Sequence, residues 1–182
     1  MKKIVLILAP GFEEIEAITP IDVLRRADID VTVAGLNSLE VKGSHAVTVL
    51  ADQQLSSIKH ADYDGIILPG GLPGSHRLRD SQLVIDLVRA INEKKGLIAA
   101  ICAAPIVLEK AGIIAGKEFT CYPGQEEFIP SGTHLRDRVV VDGNIVTGKG
   151  AGVALEFTLK IVDYLGYQEK ATALSKGMIV QE

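Results

Sequence analysis

Short, almost uninterrupted runs of apolar residues alternate along this chain with longer stretches of helical periodicity. The apolar runs fall at Ile4–Leu8, Val31–Val33, Gly65–Leu68, Gly96–Ile101, Val139–Val141 and Ile145–Val146. A strand that is apolar on both faces is covered on both sides, which is typical of a parallel sheet between two helical layers. The pattern therefore predicts an α/β protein with a mostly parallel sheet.

Three segments between these runs have the period of an amphipathic helix. They are Glu13–Ala27, Ser81–Lys94 and Val153–Leu165. The stretch Val41–Leu50 alternates weakly between apolar and polar residues, and we expect a small antiparallel excursion there. Because no repeat, linker or low-complexity tract divides the sequence, we expect one domain over residues 1–182.

The composition excludes several classes of partner. Hydrophobic residues make up 47% and charged residues 23%, as in soluble globular proteins. The net charge of −4 provides no basic field for nucleic acid. The first apolar run is too short for a signal peptide and is followed at once by Gly11 and acidic residues, so we interpret it as a buried strand. No other run approaches the length of a membrane span.

The two cysteines, Cys102 and Cys121, are too few for a disulfide framework, and there is no C-x-x-C pair. None of the four histidines has the spacing of a metal ligand. We therefore expect a cytoplasmic protein with no metal and no cofactor.

One apolar strand runs directly into a cysteine and then into a helical pattern. Ala100 and Ala104 flank Cys102 at the offsets of the glycines in a G-x-S-x-G nucleophile elbow, where a tight corner has no room for large side chains. Such a corner lifts the sulfur out of the sheet, and the following helix N-terminus stabilises a thiolate. The alternative is a buried structural cysteine, since free cysteine packs as a small hydrophobe.

A second loop lies at the carboxyl end of a predicted strand, where ligands of parallel sheets bind. Gly70 and Gly71 follow Gly65–Leu68, and the N–H groups of Gly71 and Ala103 are candidates for an oxyanion hole. The alternative is an ordinary turn after a strand. The loop lacks the lysine of a phosphate-binding P-loop.

Three acids, Glu13, Glu14 and Glu16, cluster at the start of the first predicted helix, where the helix dipole favours negative charge. Surface acids are the simplest interpretation of all three. Glu16 lies among apolar neighbours, however, and if it is buried its carboxyl group stays protonated and donates a hydrogen bond to a nearby thiolate.

Together these segments resemble the DJ-1/ThiJ/PfpI superfamily, and their order fits its ThiJ-like, DJ-1-like branch. The matching blocks are Ala9–Glu16, Pro20–Ala27, Val31–Gly35, Leu68–Gly71, Ala99–Ala103, Gly148–Gly152 and Glu156-Phe157. The resemblance covers nearly the whole chain. It implies a flavodoxin-like three-layer sandwich with a nucleophile-elbow cysteine, and a homodimer whose site lies near the interface.

The resemblance also assigns roles. It implies that Cys102 is the reactive cysteine, that Glu16 is the protonated glutamate beside it, and that Gly71 and Ala103 supply the two oxyanion N–H donors. Further pocket candidates are Gly70, Tyr122, Arg26 and His45.

The sequence departs from the superfamily in two places. Ala103 replaces the histidine of protease-like members, and Tyr122 stands where many DJ-1-like members have a histidine. The C-terminal H-x-E of glutamine amidotransferases is absent. We therefore do not expect a protease, and no residue is assigned as base for a hydrolytic step.

Two functions follow as expectations from the resemblance. The first is a cysteine-dependent enzyme acting on reactive carbonyls, of glutathione-independent glyoxalase or deglycase type, with small carbonyl compounds or glycated groups as substrates. The alternative is a redox-sensing stress-response protein or chaperone that uses oxidation of Cys102 without turnover.

Overall fold

A seven-stranded sheet forms the centre of the protein in the computed structural model, which describes residues 1–180. The strands, in chain order, are β1 (Lys3–Leu8), β2 (Asp30–Gly35), β3 (Glu40–Lys42), β4 (Thr48–Leu50), β5 (Gln53–Gln54), β6 (Gly65–Leu68), β7 (Leu97–Ile101), β8 (Glu118–Phe119), β9 (Thr133–His134), β10 (Val139–Asp142) and β11 (Ile145–Gly148). The order in the central sheet is β10-β11-β7-β6-β1-β2-β5. Every pairing in it is parallel except that of β10 with β11.

Six α-helices lie in the described part of the chain. They are α1 (Glu14–Arg26), α2 (Gly74–Arg79), α3 (Gln82–Glu93), α4 (Pro105–Ala111), α5 (Ala154–Tyr164) and α6 (Gln168–Gly177). The predicted α/β architecture with a mostly parallel sheet is confirmed, and the bounds of the predicted strands and helices differ by at most two residues. The weakly alternating stretch forms the antiparallel hairpin β3–β4. No helix within residues 1–180 has both the length and the apolar character needed to cross a membrane.

Both faces of the sheet are buried, which explains the uninterrupted apolar runs. Along β1, Ile4, Leu6 and Leu8 join a core formed with α1 and α5, while Val5 and Ile7 join a core formed with α2, α3 and α4. All five side chains are completely buried. Burying one such side chain contributes about 1.5–3 kcal/mol, so the two cores hold the central strands in a fixed position.

This strand order brings three loops to one edge of the sheet. β6 lies between β1 and β7, with Leu68 opposite Ala100, and all three strands run in parallel. The segments that follow their carboxyl ends therefore meet, although they are far apart in sequence. These segments carry the start of α1, the Gly70-Gly71 loop and Cys102.

Candidate active site

The chain turns sharply at Cys102, between β7 and α4. Cys102 has φ of 63°, a conformation that is uncommon for any residue except glycine and that costs on the order of 1–3 kcal/mol. Two hydrogen bonds hold it there: its N–H donates to the Gly148 carbonyl over 2.8 Å, and its carbonyl accepts from the N–H of Tyr122 over 2.9 Å. Ala100 and Ala104 are completely buried, so larger side chains do not fit at these positions.

Glu16 lies in the first turn of α1, and its side chain points into the protein, where it is completely buried. The Gly70 N–H donates to Glu16 Oε2 over 2.9 Å. The Cys102 thiol lies next to this carboxyl group, close enough for each group to shift the pKa of the other. Oε1 is buried and has no hydrogen-bond partner within the described residues. The interpretation of Glu16 as a surface acid is therefore wrong, because the helix turns this position toward the sheet.

The loop after β6 leaves no space for side chains. A Cβ at Gly70 would collide with Glu16 and with the Cys102 Cβ, and a Cβ at Gly71 would collide with the backbone of Gly11 and Phe12. Gly71 also has φ of 88°. Only glycine at both positions lets this backbone approach the cysteine.

Two backbone N–H groups face the cysteine sulfur. They belong to Gly71 and Ala103, and both lie close enough to lower the pKa of the Cys102 thiol. Because an N–H group stabilises negative charge on its acceptor, both donors favour a thiolate or an oxyanion formed next to the sulfur.

The two acidic groups of the site are electrostatically coupled. Burial raises the pKa of Glu16 to about 7, even though its hydrogen bonds with Cys102 and Gly70 lower it. Burial and the adjacent Glu16 carboxylate raise the pKa of the Cys102 thiol to about 12, and the N–H groups of Gly71 and Ala103 lower it. Each negative charge therefore opposes the other, so the two groups lose their protons in separate steps that belong to the pair and not to either residue.

His45 lies beside the start of α1. Its Nδ1 is 3.1 Å from Glu14 Oε2 and 3.4 Å from Glu13 Oε2, and its N–H donates to Glu14 Oε1 over 2.7 Å. Hydrogen bonds, above all from backbone N–H groups, outweigh the effect of burial and lower the pKa of Glu14 to about 2. No local sequence pattern indicates this role of Glu14, because its partners are about thirty residues away.

The remaining pocket candidates lie in two different places. Tyr122 is next to Cys102 through its backbone hydrogen bond, and its side chain is half exposed. Arg26 lies at the other end of α1, where its Nε donates to Asp22. At 1.5 Å per residue, about 15 Å of helix separates it from Glu16. The expectation that Arg26 lies near the pocket is therefore not met within this chain.

The site also depends on Gly148, which the sequence analysis placed only within a block of resemblance. Its carbonyl accepts from the Cys102 N–H, and it lies at the end of β11 beside Ile101. A Cβ at this position would lie 3.0 Å from the side chains of Ile101 and Phe157. The close approach of Ile101 and Phe157 to this backbone explains why the position is a glycine, which no sequence pattern predicted.

Comparison with known proteins gives a consistent result. The profile of the DJ-1/PfpI family matches residues 2–164. Protein dj-1beta of Drosophila melanogaster is 47% identical over 182 residues, which cover 98% of this chain and 97% of the relative. The glutathione-independent glyoxalase DJR-1.2 of Caenorhabditis elegans is 38% identical over 180 residues, which cover 97% of this chain and 96% of the relative.

Solved structures agree at the level of the fold. The crystal structure of Drosophila melanogaster DJ-1beta superposes with a TM-score of 0.95 at 46% identity, covering 100% of this chain and 99% of that one. The structure of oxidized DJ-1 from Toxoplasma gondii superposes with a TM-score of 0.94 at 36% identity, covering 98% of both chains. With a family profile that matches most of the chain and relatives of this identity and coverage, the chain belongs to the DJ-1/PfpI family.

Proposed function

We propose that this protein is a cysteine-dependent enzyme that converts small 2-oxoaldehydes, such as methylglyoxal, to 2-hydroxy acids without glutathione. The observation that carries the proposal is that the completely buried Glu16 lies beside the partly buried Cys102, which faces the N–H groups of Gly71 and Ala103. A relative that is 38% identical over almost its whole length is named a glutathione-independent glyoxalase.

The chemistry begins with the thiolate. The sulfur of Cys102 adds to the aldehyde carbon, and the carbonyl electron pair becomes an alkoxide that the N–H groups of Gly71 and Ala103 stabilise. Glu16 first gives its proton to this alkoxide, and its carboxylate then takes the proton of the former aldehyde carbon. The hydroxyl proton passes to the ketone oxygen, and Glu16 returns the carbon-derived proton to the ketone carbon, so that the former aldehyde carbon becomes the carbonyl of a thioester. The resulting thioester reacts with water, which releases the 2-hydroxy acid and restores the thiol.

Glu16 suits this role because a proton carrier works best when its pKa is near the working pH. Burial brings the pKa of Glu16 to about 7. With the proton on Glu16, the carboxyl group donates to the sulfur and stabilises the thiolate. The N–H groups of Gly71 and Ala103 also stabilise the thiolate, against burial and the Glu16 carboxylate, which raise the pKa of the thiol.

Turnover tests the proposal. Purified protein, incubated with methylglyoxal in the absence of glutathione, should form lactate over many cycles per cysteine. Cys102→Ala should abolish lactate formation, and Glu16→Gln should lower it by at least about 100-fold, as expected for loss of a general acid–base. Arg26→Ala is the matched control, because Arg26 lies at the far end of α1, and it should retain wild-type turnover.

A second candidate function is that of a redox-sensing stress-response protein or chaperone that uses oxidation of Cys102 without turnover. The observation that favours it is that Cys102 is only half buried, whereas Cys121 is completely buried. A solved relative also bears the description oxidized. After limited peroxide treatment, peptide mass spectrometry should find oxidation first at Cys102. Oxidation without any lactate formation would support the sensor over the enzyme, and oxidation first at Cys121 would contradict both.

We further propose that the protein acts in a reducing compartment, namely the cytoplasm, and assembles as a homodimer. Two unpaired cysteines fit the first statement. Exposed apolar side chains on α1, those of Ile15 and Ile18, support the proposal of a homodimer.

A further inference from the structure

A second group of metal-binding residue types lies on the other side of the central sheet. It consists of Cys121, just after β8, Glu126, in a short turn of helix over Gln125–Phe128, and His134, at the end of β9. Cys121 belongs to the core of α2, α3 and α4, whereas Cys102 packs against the core of α1 and α5. The two cysteines therefore serve different sites.

The fold brings these three residues within reach of a single ion. One donor atom from each, including the Cys121 sulfur, lies within 4.8 Å of the other two. The Cys121 Sγ and Glu126 Oε2 are 3.9 Å apart. A tetrahedral zinc ion with bonds of about 2.0–2.3 Å holds its ligand atoms about 3.3–3.8 Å apart. Small side-chain rotations would thus be enough to complete the coordination.

The side chains are held in place from outside the group. The Gly124 N–H donates to Glu126 Oε2 over 2.6 Å, and the Phe119 ring packs against His134 with 5.5 Å between the ring centres. Parallel pairing of β8 with β9 fixes the distance between the segments that carry Cys121 and His134.

One polar atom of the group lacks a partner. His134 Nε2 is buried and forms no hydrogen bond within the described residues. A buried nitrogen without a partner costs about 1–3 kcal/mol, so such atoms usually bind water or an ion. Lys149 places positive charge near Cys121, but its ammonium group is drawn to the Arg136 carbonyl, 3.1 Å away.

We propose that Cys121, Glu126 and His134 bind a zinc ion at a site separate from Cys102. Thiolate, imidazole and carboxylate are the ligand types that zinc prefers, and three protein ligands leave its fourth position for water. Binding replaces the proton of the Cys121 thiol, which leaves to solvent.

The spacing of cysteines and histidines along the chain predicts no metal site. The histidine spacing gave no signal, since Cys121 and His134 are brought together by strand pairing and not by a short motif. The site also has a structural consequence. A bound ion would hold the segment from Cys121 to Glu126 in place. This segment contains Tyr122, whose N–H donates to the Cys102 carbonyl.

Cobalt(II) provides a direct test, because a cobalt–thiolate bond gives a charge-transfer absorption band. Metal-free protein titrated with cobalt should develop this band with one equivalent, and one equivalent of zinc should remove it. The band should persist in Cys102→Ser and disappear in Cys121→Ser. His134→Gln and Glu126→Gln should each weaken zinc binding by at least about tenfold.

Glu127→Gln is the matched control, because Glu127 is the exposed neighbour of Glu126, and it should bind zinc like the wild type. Circular dichroism of each variant shows that loss of binding is not loss of folding. If Cys121→Ser unfolds, zinc binding by His134→Gln and Glu126→Gln tests the proposed site instead. The proposal is overturned if folded wild-type protein binds no stoichiometric cobalt or zinc, as expected for a site holding only water. It is also overturned if the band depends on Cys102, or if both Gln variants bind as tightly as the control.

Discussion

The proton shared by Glu16 and Cys102 determines the reactivity of the site. If Glu16 carries the proton, Glu16→Leu removes a hydrogen bond to the thiolate, and the thiol pKa should rise by about one unit or more, which corresponds to roughly 1.4 kcal/mol. If Glu16 carries the charge, the same substitution removes a repulsive neighbour, and the thiol pKa should fall. Thiolate ultraviolet absorbance measured against pH distinguishes the two results.

Glu16→Gln is the control for this measurement. Glutamine retains a donor next to the sulfur and cannot ionise, so its thiol pKa should be lower than that of the leucine variant. A thiol pKa in Glu16→Leu that is unchanged or lower than in the wild type contradicts the role assigned to Glu16. Cys102 would then depend on the N–H groups of Gly71 and Ala103 alone.

At the scale of single residues, most residues of the site could be predicted from the sequence, but their contacts could not. Burial of Glu16 follows from its apolar neighbours and from the family resemblance. Resemblance gives Arg26 only an alignment position, and within one chain the length of α1 separates it from Glu16. The pairing of Glu14 with His45 depends on a long-range contact that no local pattern encodes.

One element-scale contact joins the start of α1 to the β3–β4 hairpin. Glu14 accepts from the N–H groups of His45 and Val47 over 2.7 Å and 3.3 Å. Glu14→Gln removes the charge from these bonds, and the free energy of unfolding at pH 7 should fall by about 2 kcal/mol. Urea unfolding of the variant and the wild type measures the difference.

The pH dependence of this effect has a definite sign. The pKa of Glu14 in the folded chain is about 2, below its ordinary value of 4.5. Its contribution to stability is therefore complete above pH 4.5 and is lost as the pH falls toward 2. The stability difference between the two proteins should shrink over that range. Glu127→Gln, which changes an exposed residue, should have the stability of the wild type at pH 7 and also as the pH falls toward 2. An equal loss of stability in Glu14→Gln and Glu127→Gln would contradict the role assigned to Glu14.

Among the elements, those with a strong pattern were predictable, and so was the weakly alternating hairpin β3–β4, but α6 and the two-residue strands β8 and β9 were not. β6 and β7 are completely buried and β1 is buried from Ile4 onward, so these stretches contain no polar side chain. In contrast, α6 has no buried residue and therefore no clear apolar stripe. The two-residue strands β8 and β9 are too short for any periodicity, and pairing between distant segments creates them.

At the scale of the whole molecule, an apolar patch lies next to the site. It consists of Ile15 and Ile18 on the outer face of α1 and Val47 and Leu50 on the adjoining hairpin, with 54%, 43%, 51% and 71% of their surfaces exposed. The contact of Glu14 with the Val47 N–H holds the two elements together. Exposed apolar side chains on neighbouring elements mark an interaction site where they join into one surface.

We expect this patch to form the interface of a homodimer. Light scattering at micromolar concentration should give twice the chain mass, and Ile15→Glu combined with Ile18→Glu should give the mass of a monomer. Leu83→Glu is a matched control, since Leu83 is 57% exposed but lies on α3, across the sheet. A wild-type protein that is monomeric, or a Leu83 variant that dissociates equally, would contradict this interface.

The hydrogen bond from Cys102 to Gly148 also bears on the synthesis of the protein. Translation completes Glu16 and Gly70 well before Cys102, but the acceptor of the Cys102 N–H is made 46 residues later, at the end of β11. A growing chain that ends before Gly148 lacks the bond that holds the strained corner. Its thiol is that of a flexible peptide, so the specialised chemistry of Cys102 begins only when the polypeptide is nearly finished.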